Sequence, residues 1–158
     1  ASKIVDIASS KNLDIIHAHY AIPHASAALM AKRILQDKNI DLKVITTLHG
    51  TDITLVGKDP TYEPVVSHSI NHSDIVTTVS ESLKKDTLTN FTIDKDIKVI
   101  PNFIDFSRFG KQKKDHFKKA IANQGEKLIV HTSNFRKVKR VEDVIKVFSE
   151  VNKKIKST

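Results

Sequence analysis

The stretch KVITTLHGTDIT, residues 43–54, predicts a buried β-strand that ends abruptly in a polar turn. Residues 44–48 are apolar or β-branched, and a run of this kind that stops at Gly50 is typical of a central strand in a parallel sheet. Sheets of this class bind their ligands just beyond the carboxyl ends of the strands. His49 lies at such an end, with Asp52 in the turn behind it, and is therefore the first candidate functional residue.

Two further predicted strands also end in polar residues. Residues 14–20, DIIHAHY, form an apolar run that ends in Tyr20, and residues 97–102, IKVIPN, form another that ends in Asn102. Parallel strands end at the same edge of their sheet, so these side chains are expected to line one cleft with His49.

The composition limits the class of protein. Hydrophobic residues make up 39% and charged residues 28% of the 158 positions, which is typical of a globular chain with a packed core. The sequence contains no apolar run long enough to cross a bilayer and no signal-peptide pattern, so we expect a cytoplasmic protein without membrane insertion. The absence of cysteine excludes disulfides, thiolate zinc sites and a cysteine nucleophile.

A net charge of +8 favours anionic partners such as phosphates or carboxylates. Much of the excess lies in the basic runs at residues 111–119 and 153–158, which are expected to be solvated. Only Phe117 interrupts the first run, so a stacking platform for nucleic acid is not indicated.

The order of predicted strands and helices indicates an α/β protein with a parallel sheet. Ser80 is expected to cap one of these helices, because its hydroxyl can accept the free N–H groups of the first turn. The predicted helices cover residues 1–11, 23–38, part of 59–71, 80–88 and 141–155; the predicted strands cover residues 14–20, 43–48, 74–79, 98–100 and 127–132.

Five motifs, in this order and spacing, carry a resemblance to a known family: HAHYAIPHASAALMAKRI, ITTLHGTDIT, SDIVTTVSESL, VIPNFIDFSRF and HTSNFRKVKRVEDVI. The chain resembles the retaining glycosyltransferases of the GT-B fold, family four. It looks most like the branch that transfers N-acetylglucosamine from UDP to L-malate in bacillithiol biosynthesis. The resemblance implies an α/β fold of two Rossmann-like domains, each a parallel sheet with helices on both faces. The domains would face each other across a cleft, with the acceptor mainly on the first and the nucleotide sugar mainly on the second. It also implies a metal-independent reaction without a cofactor.

The resemblance suggests a domain organisation. Residues 1–104 would be the later part of the first domain, residues 105–125 an interdomain connection, and residues 126–158 the first strand–helix unit of the second domain. A single strand–helix unit cannot bury both faces of its strand, so we expect the chain to be a fragment of a longer protein. By itself this stretch is expected to be inactive as a transferase.

The resemblance also implies roles for individual residues. His49 would contact the donor sugar and stabilise the positive charge that develops at the anomeric carbon. Arg136 and Lys139, beside a predicted helix N-terminus, would bind the donor diphosphate. The residues that would line the malate pocket are Tyr20, Thr47, Asn102 and Arg136, which offer hydroxyl, amide and guanidinium donors to a dicarboxylate.

Three alternatives remain open at this point. The acceptor could be a molecule other than malate, or the chain could be a non-catalytic α/β module that binds anions. His17 and His19 also form an H-x-H pattern at a strand end, as some metal-dependent hydrolases do, and strand alternation places both on one face. A homo-oligomer is compatible with the sequence.

Overall fold

A computed structural model describes residues 1–54, 59–110 and 115–155. The chain divides into two compact units, Ala1–Phe103 and Ile104–Thr158, and each is described by itself. The two predicted basic runs lie partly outside the described residues, at positions 111–114 and 156–158.

The first unit is built on a four-stranded sheet in which all neighbouring strands are parallel. Each strand is the neighbour of the strand that precedes it in the chain. This arrangement confirms the predicted α/β class with a Rossmann-like parallel sheet. The strands are β1 (Ile15–His19), β2 (Lys43–Leu48), β3 (Ile75–Thr78) and β4 (Ile97–Val99).

Helices precede or connect the strands of this unit. They are α1 (Ser2–Lys11), α2 (Ser26–Gln36), the short α3 (Thr51–Thr54), α4 (Glu63–His72) and α5 (Glu81–Asn90). Ser80 caps α5 as predicted, since its hydroxyl accepts the N–H of Leu83 at 3.2 Å.

Helix α2 begins three residues later than the sequence pattern predicts, because Ala21–Ala25 form a separate wide turn. Ile22 is extended there, with φ −130° and ψ 141°. A residue that precedes proline is disfavoured in the helical region, and Pro23 follows Ile22. The turn therefore has a local steric cause that the helical periodicity does not reveal.

The core of this unit lies on one face of the sheet. Residues Val44, Thr46 and Leu48 of β2 point to this face, and all three are buried. Every described helix of the unit contributes side chains to the apolar clusters on this face. Right-handed crossovers between consecutive neighbouring strands place their helices on the same side, so the described helices of this unit lie on one face and not on both as expected. The larger clustered side chains include Leu35, Leu42, Ile53, Val66, Ile70, Val76, Leu83, Phe91 and Ile97.

The opposite face of the sheet has a different character. Ile15 is 54% exposed and Ile75 is 43% exposed, although both belong to strands. Strand alternation also places four polar side chains on this face: His17, His19, Thr47 and Thr77. The polar side chains predicted to carry function therefore lie away from the helix-covered core.

The second unit contains three helices and no strand among its described residues. The predicted strand at residues 127–132 is wrong here, because only Lys127 makes an isolated bridge. A strand gains its stability from a paired neighbour, and no described strand lies beside this segment. The helices are α6 (Phe106–Phe109), α7 (Asp115–Ile121) and α8 (Val141–Asn152), with one turn of 3-10 helix at Lys137–Lys139.

Helix α8, Val141–Asn152, ends three residues before the predicted end at residue 155. None of its residues is buried, and Ile145 is 64% exposed. No described helix of either unit is both long and apolar enough to span a membrane.

Candidate functional site

The side chains that follow β1 and β2 meet at the carboxyl edge of the sheet. The Nδ1 atom of His19 lies 2.7 Å from Nε2 of His49, and their ring centroids are 5.0 Å apart. The ring centroid of Tyr20 lies 5.1 Å from that of His49. The structure thus brings two of the predicted site residues, Tyr20 and His49, into direct proximity.

A chain of hydrogen bonds runs across three strands below this cluster. The Thr47 hydroxyl lies 2.7 Å from Nε2 of His17 and 2.6 Å from the hydroxyl of Thr77. A hydroxyl has one proton and two lone pairs, so these two contacts leave Thr47 with one hydrogen-bonding site, either its proton or a lone pair, for any further partner. This bonding fixes the Thr47 hydroxyl and limits how it can meet an acceptor molecule.

The backbone at Tyr20 redirects the chain out of the sheet. Its N–H still donates to the carbonyl of Thr47 at 2.9 Å, which extends the β1–β2 ladder by one residue. Its φ of 77° is uncommon for a residue with a side chain. Its carbonyl then accepts the N–H of Ala25 at 3.1 Å and starts the turn before α2. The Tyr20 ring is therefore placed by a specific backbone geometry.

Asp52 joins the two loops that carry the site residues. Its Oδ2 atom accepts the N–H of Ala21 at 2.8 Å, and its Oδ1 atom accepts the N–H of Gly50 at 3.1 Å. Ala21 directly follows Tyr20, and Gly50 directly follows His49. The carboxylate is only 2% exposed, and burial of a charge is costly unless hydrogen bonds compensate it.

The sequence placed Asp52 in the turn but did not reveal this bridging role. The available signal was a carboxylate two residues after Gly50 and just before the apolar Ile53. The turn also depends on Gly50, whose φ of +114° is a conformation that residues with side chains rarely adopt. Its carbonyl accepts the N–H groups of Ile53 and Thr54 at 3.0 and 2.7 Å.

Three imidazoles lie close together at this edge. The rings of His17 and His19 stack with centroids 4.5 Å apart, and His49 adjoins His19. Desolvation lowers the pKa of His17 from its ordinary value, and the charges that His19 and His49 can carry lower it further. Because the fold disfavours the charged form of His17, acidification through the ordinary pKa of histidine removes stability. The surroundings of His17 thus favour its neutral imidazole.

The H-x-H pattern of His17 and His19 has the predicted geometry, since both rings lie on one face of the sheet. Within residues 1–54, 59–110 and 115–155, however, no group of three or more His, Cys, Asp or Glu side chains is arranged to hold a metal ion. The described geometry therefore gives the metal-dependent hydrolase alternative no support.

The remaining predicted site residues lie elsewhere in the chain. Asn102 is exposed in the segment that follows β4, in the first unit. Arg136 and Lys139 are exposed in the second unit, just before α8. Neither of these cations makes an ion pair with any described residue, whereas Arg140 contacts Asp143 at 2.6 Å. As far as residues 1–54, 59–110 and 115–155 show, Arg136 and Lys139 are therefore available to bind an anion.

Comparisons with known proteins agree with the motifs. The sequence profile of Glycosyltransferase Family 4 matches residues 1–108. The chain is also similar to N-acetyl-alpha-D-glucosaminyl L-malate synthase of Bacillus anthracis, with 44% identity over 152 residues. That alignment covers 96% of this chain and 39% of the relative, so the chain spans well under half of the relative's length. The chain belongs to Glycosyltransferase Family 4.

Proposed function

We propose that the intact protein transfers N-acetylglucosamine from UDP to the hydroxyl of L-malate, with retention at the anomeric carbon, in bacillithiol biosynthesis. The observation that carries the proposal is the 44% identity, over 96% of the chain, to a relative named for this synthesis. The His49 and Tyr20 cluster at the carboxyl edge of the sheet supports it, because this is where sheets of this class bind ligands.

His49 is proposed to act on the sugar. The bond between the anomeric carbon and the diphosphate oxygen breaks as the bond to the malate hydroxyl forms, and positive charge develops at that carbon. A neutral imidazole beside the carbon stabilises this charge through its dipole and lone pair. The departing diphosphate oxygen of UDP takes up the proton of the malate hydroxyl.

Arg136 and Lys139 are proposed to act on the anions. A guanidinium can bind a carboxylate or a phosphate through two parallel hydrogen bonds, whereas an ammonium acts as a point charge. Lys139 is therefore assigned to the leaving diphosphate, and Arg136 to both the diphosphate and the malate. Tyr20, Thr47 and Asn102 complete the proposed acceptor pocket with hydroxyl and amide groups.

Variants of the two cations are expected to separate these roles. Lys139→Ala should weaken UDP binding about ten-fold or more, because it removes one charge-assisted contact. Arg136→Ala should weaken malate use at least as much as donor binding. Calorimetric titration of the intact protein with UDP and with malate measures both effects. Lys137→Ala is the matched control, since it removes an equal charge from the same exposed turn. Unchanged affinities in both variants would refute the assignment.

Activity is expected to survive the removal of divalent metal. The reason is that Arg136 and Lys139 can neutralise the departing diphosphate, which is the task a metal ion performs in metal-dependent transferases. The rate of UDP release is compared before and after treatment with EDTA. A rate that falls with EDTA and returns with manganese would instead assign the diphosphate to a metal ion.

The proposal as a whole is tested by incubating the intact protein with UDP-N-acetylglucosamine and L-malate and identifying the product by mass spectrometry. We expect one glycoside that carries malate. Transfer to a different hydroxy acid would be consistent with a glycosyltransferase but would contradict the assignment of malate as its acceptor. Binding of the anions without any transfer would favour a non-catalytic anion-binding module.

A further inference from the structure

We propose that His19 is a positioning residue that sets the orientation and tautomer of the His49 imidazole. It does so through the contact between its Nδ1 atom and Nε2 of His49, at 2.7 Å. The inference rests on the proposed function only in assigning the chemistry to His49.

His19 is the better anchored of the two rings. It is part of β1, where it pairs with Thr47 of β2. Its carbonyl accepts the Nδ1–H of His24 at 2.7 Å, and its ring stacks on that of His17. His49, in contrast, is the first residue after β2, at the start of a turn. The anchored ring therefore orients the ring that lies in the turn.

The contact also restricts which ring nitrogens of His19 and His49 can carry a proton. A hydrogen bond between two imidazole nitrogens needs one N–H donor and one bare nitrogen as acceptor. Hence only one of the two facing nitrogens carries a proton, and protonation of both breaks the contact. For two neutral rings the tautomer of His49 is therefore tied to the tautomer of His19. The other titratable side chains against the pair in the described residues are His17, Tyr20 and His24.

His19 is exposed, so its ring contributes little to the packed core. Its loss should leave the fold intact while releasing His49. This separates a positioning role from a purely structural one, since a structural role would show in stability rather than in the protonation of another residue.

The test uses the intact protein with isotope-labelled histidine and compares His19→Ala with His19→Asn. An asparagine amide can occupy the position of the imidazole Nδ1 and both donate and accept. We expect His19→Ala to change the tautomer population of His49 in the imidazole nitrogen NMR spectrum. It should also lower kcat about ten-fold, shift the pH profile of kcat and leave KM for the donor nearly unchanged. His19→Asn should restore part of each effect.

His68→Ala is the matched control, because His68 belongs to a second stacked histidine pair, with His72 on α4 and centroids 3.9 Å apart. An unchanged His49 spectrum in His19→Ala would overturn the inference, as would a spectrum that changes equally in His68→Ala. The NMR spectrum tests the positioning role of His19 even if the protein transfers no sugar to malate. Failure of the proposed function and failure of the positioning role are therefore distinguishable.

Discussion

Replacement of His49 by alanine in the intact protein is expected to lower kcat by about 100-fold or more while KM for the nucleotide sugar changes little. The reason is that the proposed interaction is strongest in the transition state, when charge develops at the anomeric carbon. An interaction of this kind contributes to the rate rather than to ground-state binding.

Initial rates at varied donor and malate concentrations measure this effect. His72→Ala serves as the control, because it removes an exposed imidazole from helix α4. If His49→Ala raised KM and left kcat unchanged, His49 would be a residue for substrate binding only.

The second large effect is expected for Asp52→Ala, which should lower the free energy of unfolding by about 3 kcal/mol. The substitution leaves the N–H groups of Ala21 and Gly50 without their acceptor. Each unsatisfied buried donor costs on the order of 1–3 kcal/mol. The loss is measured as a shift of the urea unfolding midpoint at constant slope.

Asp59→Ala is the matched control for this measurement. Asp59 also accepts a backbone N–H, that of Thr61 at 3.0 Å, but it is exposed, so the midpoint should barely move. Equal shifts in the two variants would show that burial of the Asp52 carboxylate is not what makes it important. We also expect Asp52→Ala to reduce activity, because Tyr20 and His49 are held by the same bridge.

The strands of the first unit could be predicted because their apolar runs are long enough to be recognised locally. The runs at residues 14–20 and 43–48 end within a residue or two of the observed strands. The proximity of Tyr20 and His49 followed from a general property of parallel sheets, in which neighbouring strands end at one edge.

Other features depended on partners that are distant in sequence. Asp52 accepts a hydrogen bond from the N–H of Ala21, which lies 31 residues earlier, and no local sequence pattern predicts this bond. The His19 contact with His49 spans 30 residues in the same way. The run at residues 127–132 shows the reverse case: its β-propensity was evident, but propensity alone does not form a strand without a paired neighbour.

The order of the sheet has a consequence for how the first unit is made. Each strand pairs with the strand synthesised just before it, and the Thr47–Thr77 contact between β2 and β3 spans only 30 residues. Loop closure over such a distance requires far less search than pairing between chain ends. During translation, β2 can dock on β1 as soon as β2 itself has emerged, and β3 and β4 can follow in turn. Because Tyr20 and His49 directly follow β1 and β2, the contact between these two side chains can form before the second unit has left the ribosome.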